Sequence, residues 1–113
     1  MNQPISEQFR LVAKAWADAE SAAHLLEETK TTVLEQRKTK LIEASAAKVS
    51  EAAAERLVKS SKEWAEFVHG MCRARSKANL LKVKMRYVEM RHREWIGHNA
   101  DARQEMRLGV VDP

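Results

Sequence analysis

Arg73, Arg75, Lys77, Lys82, Lys84, Arg86, Arg91 and Arg93 place eight cations in 21 residues against one acid, Glu89. The chemistry open to such a row is anion binding, because ammonium and guanidinium groups can hold phosphates or carboxylates without a cavity. With Trp64 at heptad position a, Lys77, Lys84 and Arg91 fall at g, and Arg75 and Lys82 at e. Flanking positions of this kind commonly pair with acids on a neighbouring helix. The N-terminal third of the chain offers only Glu20 and Glu27 at matching e positions, two acids for five bases. Salt bridges therefore cannot neutralise the row, and some of its charge must face outward. Tyr87, at position c among Lys84, Arg86 and Arg91, is the one candidate for stacking on a base; its plainer reading is an ordinary exposed tyrosine.

Other chemistries find little support. His24, His69, His92 and His98 lack metal-ligand spacing such as HExxH, and Cys72 has no second cysteine to join. Cys72 near His69 reads as a lone buried thiol rather than a nucleophile or a ligand. No glycine-rich phosphate loop and no GxSxG occur, and Glu63 and Glu66 look like solvated helix positions. The expectation is a protein that is not an enzyme, with no cofactor and no metal.

The elements that must carry these residues are helices. Leu57, Ser60, Trp64, Phe67, Met71, Ala74, Ala78, Leu81, Met85, Val88, His92 and Trp95 recur at alternating spacings of 3 and 4, which is one face of an α-helix. Phe9, Val12, Trp16, Ala19, Ala23 and Leu26 repeat the pattern nearer the N-terminus, and no stretch alternates as a strand does. Proline occurs only at positions 4 and 113, and between Ile5 and Ile96 the sole glycine is Gly70. The fold class is all-α: long amphipathic helices in an antiparallel helical hairpin or coiled coil, with a three-helix bundle as the alternative. A single domain over 1–113 is expected, with a first arm over 5–43, a turn around Ala44–Ser50, and a long second arm over 45–96. The basic half of that arm, 73–93, would extend past its partner, leaving Leu81, Met85, Val88 and Trp95 uncovered.

Punctuation inside the arms is ambiguous. Met1–Pro4 reads as a disordered leader, with Ser6 as N-cap. Thr29-Lys30-Thr31-Thr32 weakens the first helix, and Thr32–Glu35 and Ser60–Glu63 both match a capping box. Gly97 suits a helix C′ position and Asn99 the next N-cap, giving a short terminal helix over 99–108 stopped by Gly109. The alternative is that the helix runs on through Gly97, because Ala102 and Met106 keep the phase.

Bulk properties bound the rest. Hydrophobic residues make up 44%, but many are alanine and only 5% are aromatic, so the core is thin, and thin helical cores are commonly completed by self-association. Trp64, Phe67, Met71, Leu81, Met85, Val88 and Trp95 are the expected oligomer interface. Residues 73–113 hold 10 Lys/Arg and 5 Asp/Glu, whereas the first 72 residues are nearly neutral. Such asymmetry points to nucleic acid before membrane lipid. A single cysteine fits the reducing cytoplasm, and no apolar run is long enough to span a membrane.

The stretch Trp64-Ala-Glu-Phe67, Met71, Ala74, Ala78-Asn-Leu-Leu-Lys82, Arg86 and Glu89 resembles UvsY-type phage recombination mediators, in which an aromatic-led helix runs into an alanine- and lysine-bearing C-terminal segment. The resemblance covers about 30 residues of the 113 and implies an oligomeric accessory that binds single-stranded DNA and helps load a recombinase. The sequence thus suggests a non-enzymatic oligomer that contacts nucleic-acid backbone through Arg75, Lys77, Lys82, Lys84, Arg86, Tyr87, Arg91 and Arg93 without reading sequence. The alternative is a protein–protein adaptor or inhibitor whose basic helix docks an acidic protein surface.

Overall fold

A computed structural model describes residues 4–111. They form three helices in the order α1 (Ile5–Ala44), α2 (Glu51–Lys59) and α3 (Lys62–Val111), and no strand occurs among the described residues. The class is all-α, as the two periodic seams require. Most of the expected leader, residues 1–3, lies outside the described residues. α1 opens with the amide of Gln8 donating to the carbonyl of Pro4, so Ser6 sits inside the first turn rather than capping it.

α1 does not break at its threonines. The Thr29 hydroxyl donates to the carbonyls of Leu25 and Leu26, at 2.8 and 3.3 Å. A hydroxyl that bonds back into the preceding turn competes with the helix only weakly, and here the helix survives. Two real punctuations lie further on. The Ser50 side chain caps α2 by accepting from the Ala53 amide at 3.1 Å. Ser61 caps α3 by accepting from the Trp64 amide at 3.2 Å while donating to the Val58 carbonyl at 2.6 Å. The expected Ser60 cap is thus displaced by one residue. That break resets the register: Leu57, expected on the seam, is exposed, and Val58 is buried in its place.

The chain divides into two compact units, one spanning Asp18–Asn79 and the other combining Met1–Ala17 with Leu80–Pro113. In the first, the latter part of α1 meets α2 through Lys38 and Glu51 and α3 through Arg37 and Phe67, and Ala19, Ala23, Ala54, Val58, Trp64 and Ala78 are buried. Alanines let the helix backbones approach closely but bury little apolar area each. Trp64 supplies the bulk, stacked on Phe67 at 5.5 Å, with the Arg37 guanidinium 5.9 Å from the Phe67 ring centre. Lys38 is buried, and its ammonium reaches Glu35 at 3.2 Å and Glu51 at 3.3 Å, joining α1 to the first turn of α2. The hydrogen bond that it donates to Glu35 is the chief reason its pKa is raised; burial opposes the rise and Glu51 adds to it.

In the second unit, the first turns of α1 pack antiparallel to the middle of α3. Gln8, Leu11, Val12 and Ala15 line one cleft with Leu81, Lys84 and Val88, and Pro4, Ile5 and Ser6 line another with His92 and Trp95. The basic segment therefore does not extend past its partner. α1 is continuous over 40 residues and reaches Leu81 and Val88, and Met85 is half-buried, so that of the four residues expected to be uncovered only Trp95 is exposed. α3 also runs on through Gly97, which has no positive φ, instead of stopping for a separate helix over 99–108.

Candidate nucleic-acid interface

Each base of the row can now be placed from its position on α3. Arg75, at position e, turns to α1. Its Nε and Nη2 donate to the Glu27 carboxylate at 2.8 and 2.7 Å, and its Nη1 donates to Glu20 at 2.6 Å. A planar fork engaged at both edges is oriented as well as charged. The hydrogen bonds that Arg75 donates to Glu27 and then Glu20 push its pKa above its ordinary range, and the same contact holds Glu27 below the usual carboxylate value. Both acids that the sequence set against the row are spent on this one arginine. Arg75 is a structural tie between helices, not an outward cation.

The remaining bases face solvent. Lys77, in the same unit as Arg75, is exposed, as are Lys82, Lys84, Arg86, Arg91 and Arg93 in the other. Arg93 pairs along its own helix with Glu89 at 2.7 Å. Among the described residues Lys77, Lys82, Lys84, Arg86 and Arg91 have no carboxylate within ion-pair distance; Arg91 instead lies 6.0 Å from the centre of the Tyr87 ring. Tyr87 is 55% exposed, so one face of a cation–π pair stands at the surface.

The seam residues expected to join subunits are mostly used within the chain. Trp64 and Val88 are buried, and Phe67, Met71, Leu81 and Met85 are half-covered. Trp95 stays open, stacked on His92 at 6.1 Å between ring centres. Cys72 is exposed rather than buried, because it lies off the a and d positions that α1 covers. His69 is also exposed, and among the described residues no three His, Cys, Asp or Glu side chains gather as metal ligands would.

Sequence reading singled out Tyr87 but missed the apolar residues that share the outer face of the segment with it. Leu80, Val83, Tyr87 and Met90 are exposed by 71, 65, 55 and 52%. They occupy positions c, f, c and f, opposite the seam, with Lys84 and Arg91 (g) along one border and Arg86 and Arg93 (b) along the other. The signal was present as a second row of spacing 3, 4, 3, hidden because the stronger a/d row accounts for the helix by itself. No protein-family model matches this chain, and no curated protein or solved structure is significantly similar to it.

Proposed function

We propose that this chain is a non-enzymatic nucleic-acid-binding protein whose α3 holds phosphates of a single strand through Lys82, Lys84, Arg86 and Arg91, with Tyr87 beside them. The supporting observation is the imbalance of partners: Arg75 takes Glu20 and Glu27, leaving these four bases exposed with no carboxylate partner among the described residues. Bases spaced along a helix neutralise a backbone by counterion release and carry no base code, so binding would be strong at low salt and indifferent to sequence. The resemblance of Trp64–Glu89 to recombination mediators extends the proposal to a phage DNA-recombination accessory that self-associates. A cytoplasmic setting belongs to the same reading, since an exposed lone thiol such as Cys72 keeps best under reducing conditions.

Anisotropy of labelled single-stranded and duplex oligonucleotides, titrated across a series of salt concentrations, tests this directly. Four phosphate contacts correspond to a slope of about −3 in log K against log salt for a single strand. Replacing Lys84 or Arg91 should reduce its magnitude by somewhat under 1 each. Absence of binding at low salt, or a flat salt response, removes the proposal. A second reading, docking on an acidic protein surface, is favoured by the apolar residues set among the same bases.

A further inference from the structure

Numbered from the outer face, α3 carries a second heptad seam. With Leu80 as a, the exposed residues Leu80, Val83, Tyr87 and Met90 are a, d, a and d. Position e is then Lys84 and Arg91, and position g is Arg86 and Arg93, so all four flanks of this seam are basic. Spacing of 3, 4, 3 is what knobs-into-holes packing against another helix requires, and the e and g residues choose the partner by charge. The patch spans three turns, about 15 Å of helix.

We infer that this outer seam is the docking site for an amphipathic helix of a partner protein, with apolar a and d residues flanked by Glu or Asp. Charge complementarity selects that occupant. A second copy of this chain laid on the same seam would set Lys84, Arg86 and Arg91 against the same three bases, and like charges at flanking positions disfavour pairing. A phosphate backbone would satisfy the bases but leave the four apolar side chains facing charge. An anionic lipid surface would meet the charge, but a seam two residues wide inserts little area. The inference does not need the nucleic-acid reading, though it uses some of the same bases.

The probe is a synthetic 21-residue peptide with Leu at a and d and Glu at e and g, followed by anisotropy against the full chain. Two control peptides carry Lys at e and g, or Ser at a and d. The Glu peptide should bind, and each control should bind at least tenfold more weakly. A chain carrying Val83→Ser and Tyr87→Ser should lose at least tenfold in affinity for the Glu peptide. Because those changes lie at exposed positions, unchanged circular dichroism should accompany the loss. A second variant, Lys84→Glu with Arg86→Glu and Arg91→Glu, should switch preference to the Lys peptide. Equal binding of the Ser-seam peptide would show charge attraction alone and overturn the inference. So would a dimer mass for the chain by itself that the Val83/Tyr87 variant abolishes, or flotation with phosphatidylserine vesicles and no peptide binding. Loss of oligonucleotide binding alone would count against the proposed function and leave this seam standing.

Discussion

Arg75 and Lys84 sit on the same helix and belong to the same run of charge, yet they stand in opposite surroundings. Arg75 is oriented by Glu27 and Glu20, whereas among the described residues Lys84 has no carboxylate partner. Replacing Arg75 with Met should therefore lower the thermal midpoint and leave oligonucleotide affinity close to the parent, while Lys84→Met should do the reverse. The pH dependence follows from Glu27, whose pKa is held below its ordinary 4.5. A carboxylate with a depressed folded pKa adds stability that is present above its unfolded value and lost as pH falls through the folded one. Melting curves from neutral pH to about pH 3 should show that loss in the parent and a flatter acid limb in Arg75→Met. An unchanged acid limb would remove the structural role assigned to this arginine. The tie itself was legible: heptad positions alone set Glu20 and Glu27 against the basic row. Arithmetic on positions could not say that one fork would take both acids, because that depends on how far a guanidinium reaches across two helices.

At the scale of elements, the seam from Trp64 to His92 was readable because an unbroken 3/4 row has only one helical interpretation, and every member is buried or half-buried. The ends of elements were less readable. Capping signatures are short, so Ser60–Glu63 and Thr32–Glu35 look alike. Only packing distinguishes them: Val58 and Trp64 are buried on either side of the true break. Leu57 was misplaced for the same reason, since a heptad count cannot cross a turn. Gly97 misled because glycine signals a helix end only when it adopts positive φ, and it does not. This difference is measurable. A Cβ at Gly97 would meet nothing within 4 Å, so Gly97→Ala should raise stability by about 0.5–1 kcal/mol. A C′ glycine would respond with a loss, so the sign in a denaturant melt decides between the two geometries. The buried alanines give a second check on α3. Ala78 is fully buried, and Ala78→Leu should cost about 1–3 kcal/mol through overpacking. A neutral result would mean that the helices there are not in close contact.

For the molecule as a whole, the central question is how one basic segment relates to two kinds of anion. Its inner face is taken up by packing against α1, so the outer face is the one open to solvent. There Lys84 and Arg91 border one side of Leu80, Val83, Tyr87 and Met90, while Arg86 and Arg93 border the other. An acidic helix seated on the apolar row would cover Tyr87 and pair with Lys84, Arg86 and Arg91, three of the groups proposed to hold phosphates. Two ligands that need the same side chains cannot occupy them together, and by linkage each must weaken the other equally. Adding the Glu-flanked peptide should thus raise the apparent Kd of an oligonucleotide in proportion to peptide concentration, without a plateau. The Ser-seam peptide should have little effect at equal charge, which separates competition for the site from simple screening. Light scattering supplies the complementary reading: starting from the 12.9 kDa chain, the mass should report peptide or oligonucleotide on α3, and a complex containing both would show that the two anions occupy different faces.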